Sequence, residues 1–109
     1  MLTYQDCQNL IQKGKDGRKK LVNNTYLEKL DDCFGILLHN TFVVKIFPNN
    51  HYQLNSGKWK TPTTKNRINQ FSPAQIAQVK GNWVHYLKFS KNIPFFDGMI
   101  INSKGNPVK

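Results

Sequence analysis

Acidic residues, arginine and cysteine are scarce in this 109-residue chain, and no long apolar run occurs. Each scarcity excludes something. Cys7 and Cys33 are the only cysteines, and neither has a second one near it, so a zinc site built on thiolates is excluded. Free, buried thiols in a reducing compartment are the expectation. No apolar run approaches the ~20 residues of a membrane span. The opening MLTYQDCQNL lacks the charged and apolar parts of a secretory leader. A cytoplasmic protein with no membrane partner is therefore expected.

Six acidic residues face 16 Lys+Arg, leaving a formal charge of +10. Such a surface attracts polyanions and speeds their encounter. Nucleic acid, nucleotides and anionic lipid are the matching partner classes. Lysine with asparagine is also what AT-rich codon usage imposes, so the lysines alone identify no site. Arg18 and Arg67, the only two arginines, carry more information. The carboxylates offer no acid–base pair by spacing. Asp31-Asp32 and Asp97 fall in turn-like stretches, where Asp is favoured for its local hydrogen bonds.

What is present is a folding composition, 39% hydrophobic and 12% aromatic. The length fits one domain with a modest core. TYQDCQNLIQKG places Tyr4, Cys7, Leu10 and Ile11 on one helical face, with Thr3 as N-cap. KGKDGRKK reads as a glycine-broken basic loop. TYLEKL alternates with strand period. FGILLHNTFVVKIFP is too long for one ordinary strand; HNT is either its break or a bend. HYQLN returns after a Pro48–Asn50 turn, and KWKT reads as one more short strand after a Ser56-Gly57 turn.

TPTTKNRINQF is the second helix, capped by Thr63 or Thr64. Gly81-Asn82 predicts a hairpin between QIAQVK and WVHYLKF, and Asp97-Gly98 another within IPFFDGMII. The sum is α+β: a bent antiparallel β-sheet with one or two short helices packed on it. Residues 1–109 form a single domain, with an N-terminal helix and basic loop over 1–20 and a β-rich core over 21–101. The polar tail, 102–109, is expected to fray.

Several phrases together resemble a known family. VNNTYLEK, ILLHNTFVVKIFPNNHYQLNSGKWKTPTTKNRINQF and WVHYL…IPFFDGM are similar to small proteins encoded by bacteriophages, prophages and plasmids. That family reads N-N-T-Y-L, L-H-x-T-x-I, L-x-S-G-G-W-x-T-x-T-T-K-x-R-I-N and F-x-D-G-M. The likeness spans about Leu21 to Met99, with Lys58 where the family has its second glycine. It implies a mobile-element origin and action in the cytoplasm of a bacterial host. It supplies no mechanism.

The candidate chemistry concentrates in SGKWKTPTTKNRINQF. A helix N-terminus offers unpaired N–H groups and partial positive charge. Thr63, Thr64, Lys65 and Arg67, with Lys60 just before them, make a candidate phosphate cradle. Trp59 offers a face on which a base can stack. The plain structural reading is that the threonines cap the helix, Arg67 pairs locally and Trp59 fills the core.

Secondary candidates are Arg18, His39 and Thr41. On an extended strand His39 and Thr41 share a face. They form half of the two H-x-T motifs that a two-histidine phosphodiesterase uses. His39, His51 and His85 have no metal-ligand spacing, so no metal or cofactor is expected. The leading expectation is a non-enzymatic accessory protein that binds an anionic ligand, a nucleotide or nucleic acid, as a homo-oligomer, and so counters host defence. The alternatives are a structural accessory or an inhibitor that binds a host protein, and a phosphodiesterase.

Overall fold

The computed structural model describes residues 1–87 and 91–108. In chain order the elements are α1 (Tyr4–Ile11), β1 (Arg18–Val22), β2 (Thr25–Lys29), β3 (Phe34–Leu38), β4 (Thr41–Ile46), β5 (Tyr52–Leu54), α2 (Pro62–Phe71), β6 (Ile76–Val79), β7 (Asn82–Tyr86), β8 (Asn92–Pro94) and β9 (Ile100–Ile101). Two antiparallel sheets result. The larger runs β1-β2-β3-β4-β5-β9 and the smaller β6-β7-β8. The expected α+β class holds, with an open sheet.

Strand period decides the layers. Leu27 lies opposite Ile36, Ile36 opposite Val44, and Val44 opposite Leu54, so one face is a continuous apolar row. All four are fully buried, in one core with Cys7 of α1 and Ile68 of α2. The alternate residues Tyr26, Glu28, Leu37 and Lys45 are half-buried on the other face. The long apolar segment breaks at His39-Asn40, giving β3 and β4 as a hairpin with Leu38 opposite Thr41. A bulge in β4 then buries Val43 and Val44 together.

Thr3 caps α1 as expected, in a reciprocal box. Its hydroxyl accepts the Asp6 amide at 3.1 Å, and its own amide donates to the Asp6 carboxylate at 2.9 Å. Tyr52, at the centre of the core, donates its hydroxyl to the Leu2 carbonyl at 2.6 Å and so fastens the N-terminal segment. The 81–82 region forms a hairpin as expected, one residue earlier than read. Val79 pairs with Asn82, so Lys80 and Gly81 are the turn, at φ +51° and +82°. Both central residues of such a turn need positive φ, which glycine adopts without cost.

Four expectations are corrected. The basic segment is only partly loop: Arg18, Lys19 and Lys20 form β1, an edge strand whose lysines deter further pairing. KWKT is no strand. Its backbone bonds are local, from Trp59 N–H to the Ser56 carbonyl and from Thr61 N–H to the Trp59 carbonyl, both at 2.9 Å. Asp97-Gly98 closes no hairpin, because β8 pairs with β7 in the small sheet while β9 pairs with β5 in the large one.

The described tail residues, 102–108, do not fray. Val108 N–H reaches the Ile100 carbonyl at 2.8 Å, and the Gly105 carbonyl meets His85 Nε2 at 2.7 Å. His85 is buried, and its Nδ1 accepts the Gln75 amide at 3.1 Å. A backbone amide only donates, so Nδ1 is the unprotonated nitrogen and Nε2–H donates to Gly105.

Two measurements follow from this packing. Burial pushes the Cys7 thiol up to about 12 and the Cys33 thiol up to about 11. Near pH 8 both are therefore protonated as well as shielded, and a thiol reagent added to native protein should label neither until urea unfolds the chain. Labelling at the rate of free cysteine contradicts this packing. Substituting His85→Leu leaves the Gln75 amide and the Gly105 carbonyl without partners. Urea unfolding should show a loss of about 2 kcal/mol or more.

Candidate ligand pocket

Three turns and one helix start meet at one end of the large sheet. They enclose a pocket of about 540 Å³, within the size range of small-ligand sites. The β1–β2 turn contributes Asn24, and the β3–β4 turn contributes His39 and Asn40. Thr41 and Val43 come from β4, Leu38 from the end of β3, and Ser56 and Trp59 from the loop after β5. Thr61, Thr63 and Thr64 come from the start of α2.

Local chemistry fixes the loop. Ser56 donates both its amide and its hydroxyl to Asp97 Oδ1, at 2.8 and 2.7 Å. Its hydroxyl oxygen also accepts the Lys58 amide at 3.2 Å, and Asn55 Oδ1 accepts the Gly57 amide at 2.9 Å. Gly57 has φ +61°, and a Cβ there would collide with the Thr41 side chain, so both the turn and the pocket wall require glycine. Lys58 has φ +69°, the left-handed region where the resembling family carries its second glycine.

The cap of α2 differs from the expectation. Thr61, not Thr63 or Thr64, is the N-cap; its hydroxyl accepts the Thr64 amide at 3.2 Å. Pro62 follows in the first turn and has no N–H. Lys65 N–H is taken by the Thr61 carbonyl at 3.1 Å. Of the first-turn amides only that of Thr63 makes no hydrogen bond among the described residues. The helix end therefore offers one free amide, fewer than the sequence suggests.

The remaining candidates separate clearly. Trp59 lies at the pocket and is 68% exposed, so it does not fill the core; Trp83, at 4%, does. Lys60 is exposed and Lys65 half-buried, and neither lines the pocket. Arg67, also outside the lining, is half-buried one turn behind Thr63 and Thr64. It donates Nε to the buried Thr25 hydroxyl at 2.9 Å, and it makes no ion pair among the described residues. Arg18 is at the far end of β1 from the Asn24 turn. There it pairs with Glu28 and stacks 4.9 Å above the Tyr26 ring.

His39 and Thr41 do not share a strand face: His39 occupies the turn at φ +55° and Thr41 opens β4. The pocket nevertheless brings the two together. Among the described residues its lining contains no Asp, Glu, Lys or Arg, and His39 is the one titratable side chain there. Among the described residues no cluster of three His, Cys, Asp or Glu side chains is placed to hold a metal ion. No helix among them is long and apolar enough to cross a membrane.

Asn24, Ser56 and Thr61 were not among the site candidates, although Ser56 and Thr61 lie inside SGKWKTPTTKNRINQF and Asn24 inside VNNTYLEK. Asp97, read only as a turn residue, is the anchor of the pocket loop.

This geometry is that of a small α+β protein with an open antiparallel sheet and, at the sheet's end, a pocket lined by both polar and apolar side chains. The chain belongs to the Kyanoviridae Gp96 protein family, a family of phage proteins, whose model matches residues 3–102. Neither the curated proteins nor the solved structures contain a match to it. Every motif on which the phage resemblance rests lies inside the matched span.

The Asp97 anchor is open to a direct check. Asp97→Ala leaves the buried Ser56 amide and hydroxyl unpaired and should lower stability by about 1–2 kcal/mol. Asp97→Asn keeps an oxygen acceptor and should lose less. Equal losses in urea unfolding contradict the assigned role of Oδ1.

Proposed function

We propose that this phage protein is a non-enzymatic accessory that holds a phosphate-bearing ligand, a nucleotide or short nucleic acid, in the pocket at the sheet's end. The observation that carries this reading is the pocket's composition. Hydroxyls, side-chain amides and one imidazole share the lining with Leu38, Val43 and the exposed Trp59, and among the described residues no carboxylate lines it. A ground-state anion needs donors and no competing negative charge. The donors on the helix side are the Thr63 amide and hydroxyl, with one hydroxyl proton from the Thr61–Thr64 pair, whose two hydroxyls share a hydrogen bond at 3.0 Å.

Arg67 sits behind them with its Nε fixed on Thr25, which leaves its two Nη groups for a phosphate oxygen reaching past the rim. Trp59 supplies the base platform. The chain's charge of +10 attracts any such ligand to the surface. A single histidine without an acidic partner favours holding a ligand over hydrolysing it. Inside an infected bacterium, a protein of this kind can withdraw a nucleotide signal from host defence.

Intrinsic fluorescence gives the test, because Trp59 is exposed and Trp83 is not. Nucleoside monophosphates should quench Trp59 emission saturably. Trp59→Ala should weaken binding, measured by calorimetry, by about fivefold or more while leaving the unfolding midpoint unchanged. Arg67→Lys keeps the charge but loses the planar fork, and it should also weaken binding. If the unsubstituted protein binds no nucleotide at low salt, the reading is wrong.

A further inference from the structure

We infer that the phosphate-bearing ligand is single-stranded nucleic acid, with successive bases stacked on Trp59 and Phe96. This rests on the pocket reading above and narrows its ligand class. Phe96 is 60% exposed, although the next residue back, Phe95, is buried edge-on against Trp83 at 5.3 Å. The core thus takes one ring of the pair and leaves the other in water. Trp59 shows the same pattern at 68% exposure. Large rings left outside a core that has room for their neighbours suit a surface that receives flat partners.

Both residues adjoin one hydrogen-bonded clamp. Trp59 N–H bonds the Ser56 carbonyl at 2.9 Å, and Ser56 bonds Asp97 Oδ1 twice. Phe96 precedes Asp97, and its carbonyl accepts the Met99 amide at 3.2 Å. Trp59 is thus bonded to one member of the Ser56–Asp97 pair, and Phe96 is the chain neighbour of the other. A mononucleotide needs one platform; two on one junction fit a chain of bases.

The charge around them agrees. Lys58 and Lys60 flank Trp59 and are exposed, whereas the acid of the junction, Asp97, has Oδ1 committed to Ser56. Exposed rings interleaved with lysine form the surface on which single strands stack their bases and lay their backbone. An acidic polypeptide matches the lysines but has no regular flat faces for two rings.

The experiment compares thymidine monophosphate with a short oligothymidylate, using Trp59 quenching for both and anisotropy for the oligomer. The oligomer is expected to bind at least about tenfold tighter at low salt and to weaken more steeply as salt rises. Phe96→Ala should reduce oligomer affinity about fivefold or more and leave monophosphate binding unchanged. Phe96→Tyr, which keeps the ring, should restore it.

Equal affinity for the two ligands overturns the inference and leaves the pocket reading intact. An unchanged oligomer affinity in Phe96→Ala does the same. Polyglutamate binding as tightly as the oligomer also overturns it, since charge alone would then explain the surface. If neither nucleotide ligand binds, the pocket reading fails and the inference falls with it.

Discussion

One carboxylate oxygen, Asp97 Oδ1, joins parts of the chain that are 41 residues apart. It receives the Ser56 amide and hydroxyl, which the fold has removed from water. Around that junction the chain crosses from the small sheet to the large one. Gly98 N–H meets the Leu54 carbonyl at 2.7 Å, and Leu54 N–H meets the Met99 carbonyl at 2.9 Å. The loop carrying Trp59 begins there, and so does the approach to β9. The pocket loop, both exposed rings and the entry to β9 all adjoin this one pair of hydrogen bonds.

The other organising constraint is a sheet with only one buried face. Both helices pack into the core on that side, where Cys7 and Ile68 meet Leu27 and Ile36. The small sheet must also manage an edge, and a side chain does it. Asn69 of α2 accepts the Ile76 amide at 2.7 Å and donates to the Ile76 carbonyl at 2.9 Å, as a neighbouring strand would. Backbone groups at this edge are thus satisfied without a fourth strand.

Local rules read well wherever the chain's own neighbours decide. The Thr3 cap and a hairpin at Gly81 were legible for that reason, to within one residue, and HNT reads as a break or a bend, which the structure makes the β3–β4 turn. Misreadings fall where a distant partner decides. Asp97-Gly98 looks like a hairpin turn, but its flanking strands pair with different sheets. The 102–108 tail is polar enough to fray, yet His85, 20 residues upstream, holds Gly105. β1 was hidden by its lysines, the feature that suits an edge strand.

TPTT offers three threonines, and proline's preference for the first helical position selects Thr61 as the cap. The pocket was half legible. Trp59, Thr63 and Thr64 were visible in one phrase and His39 and Thr41 in another, but only folding places them around a common space. Arg67, the most conspicuous candidate, proved to be tied to Thr25 behind the lining.

The order of β9 in the large sheet has a consequence for how the protein is made. The strand beside β5 comes from Ile100–Ile101, and the anchor of the pocket loop comes from Asp97, 41 residues after the Ser56 it holds. A nascent chain that has released only its first five strands and α2 still exposes the edge of β5 and lacks the acceptor for Ser56. The early hairpins can form during synthesis, since their contacts are local. The loop that carries Trp59 acquires its shape only after Asp97 has emerged, so the pocket matures later than the scaffold that carries it.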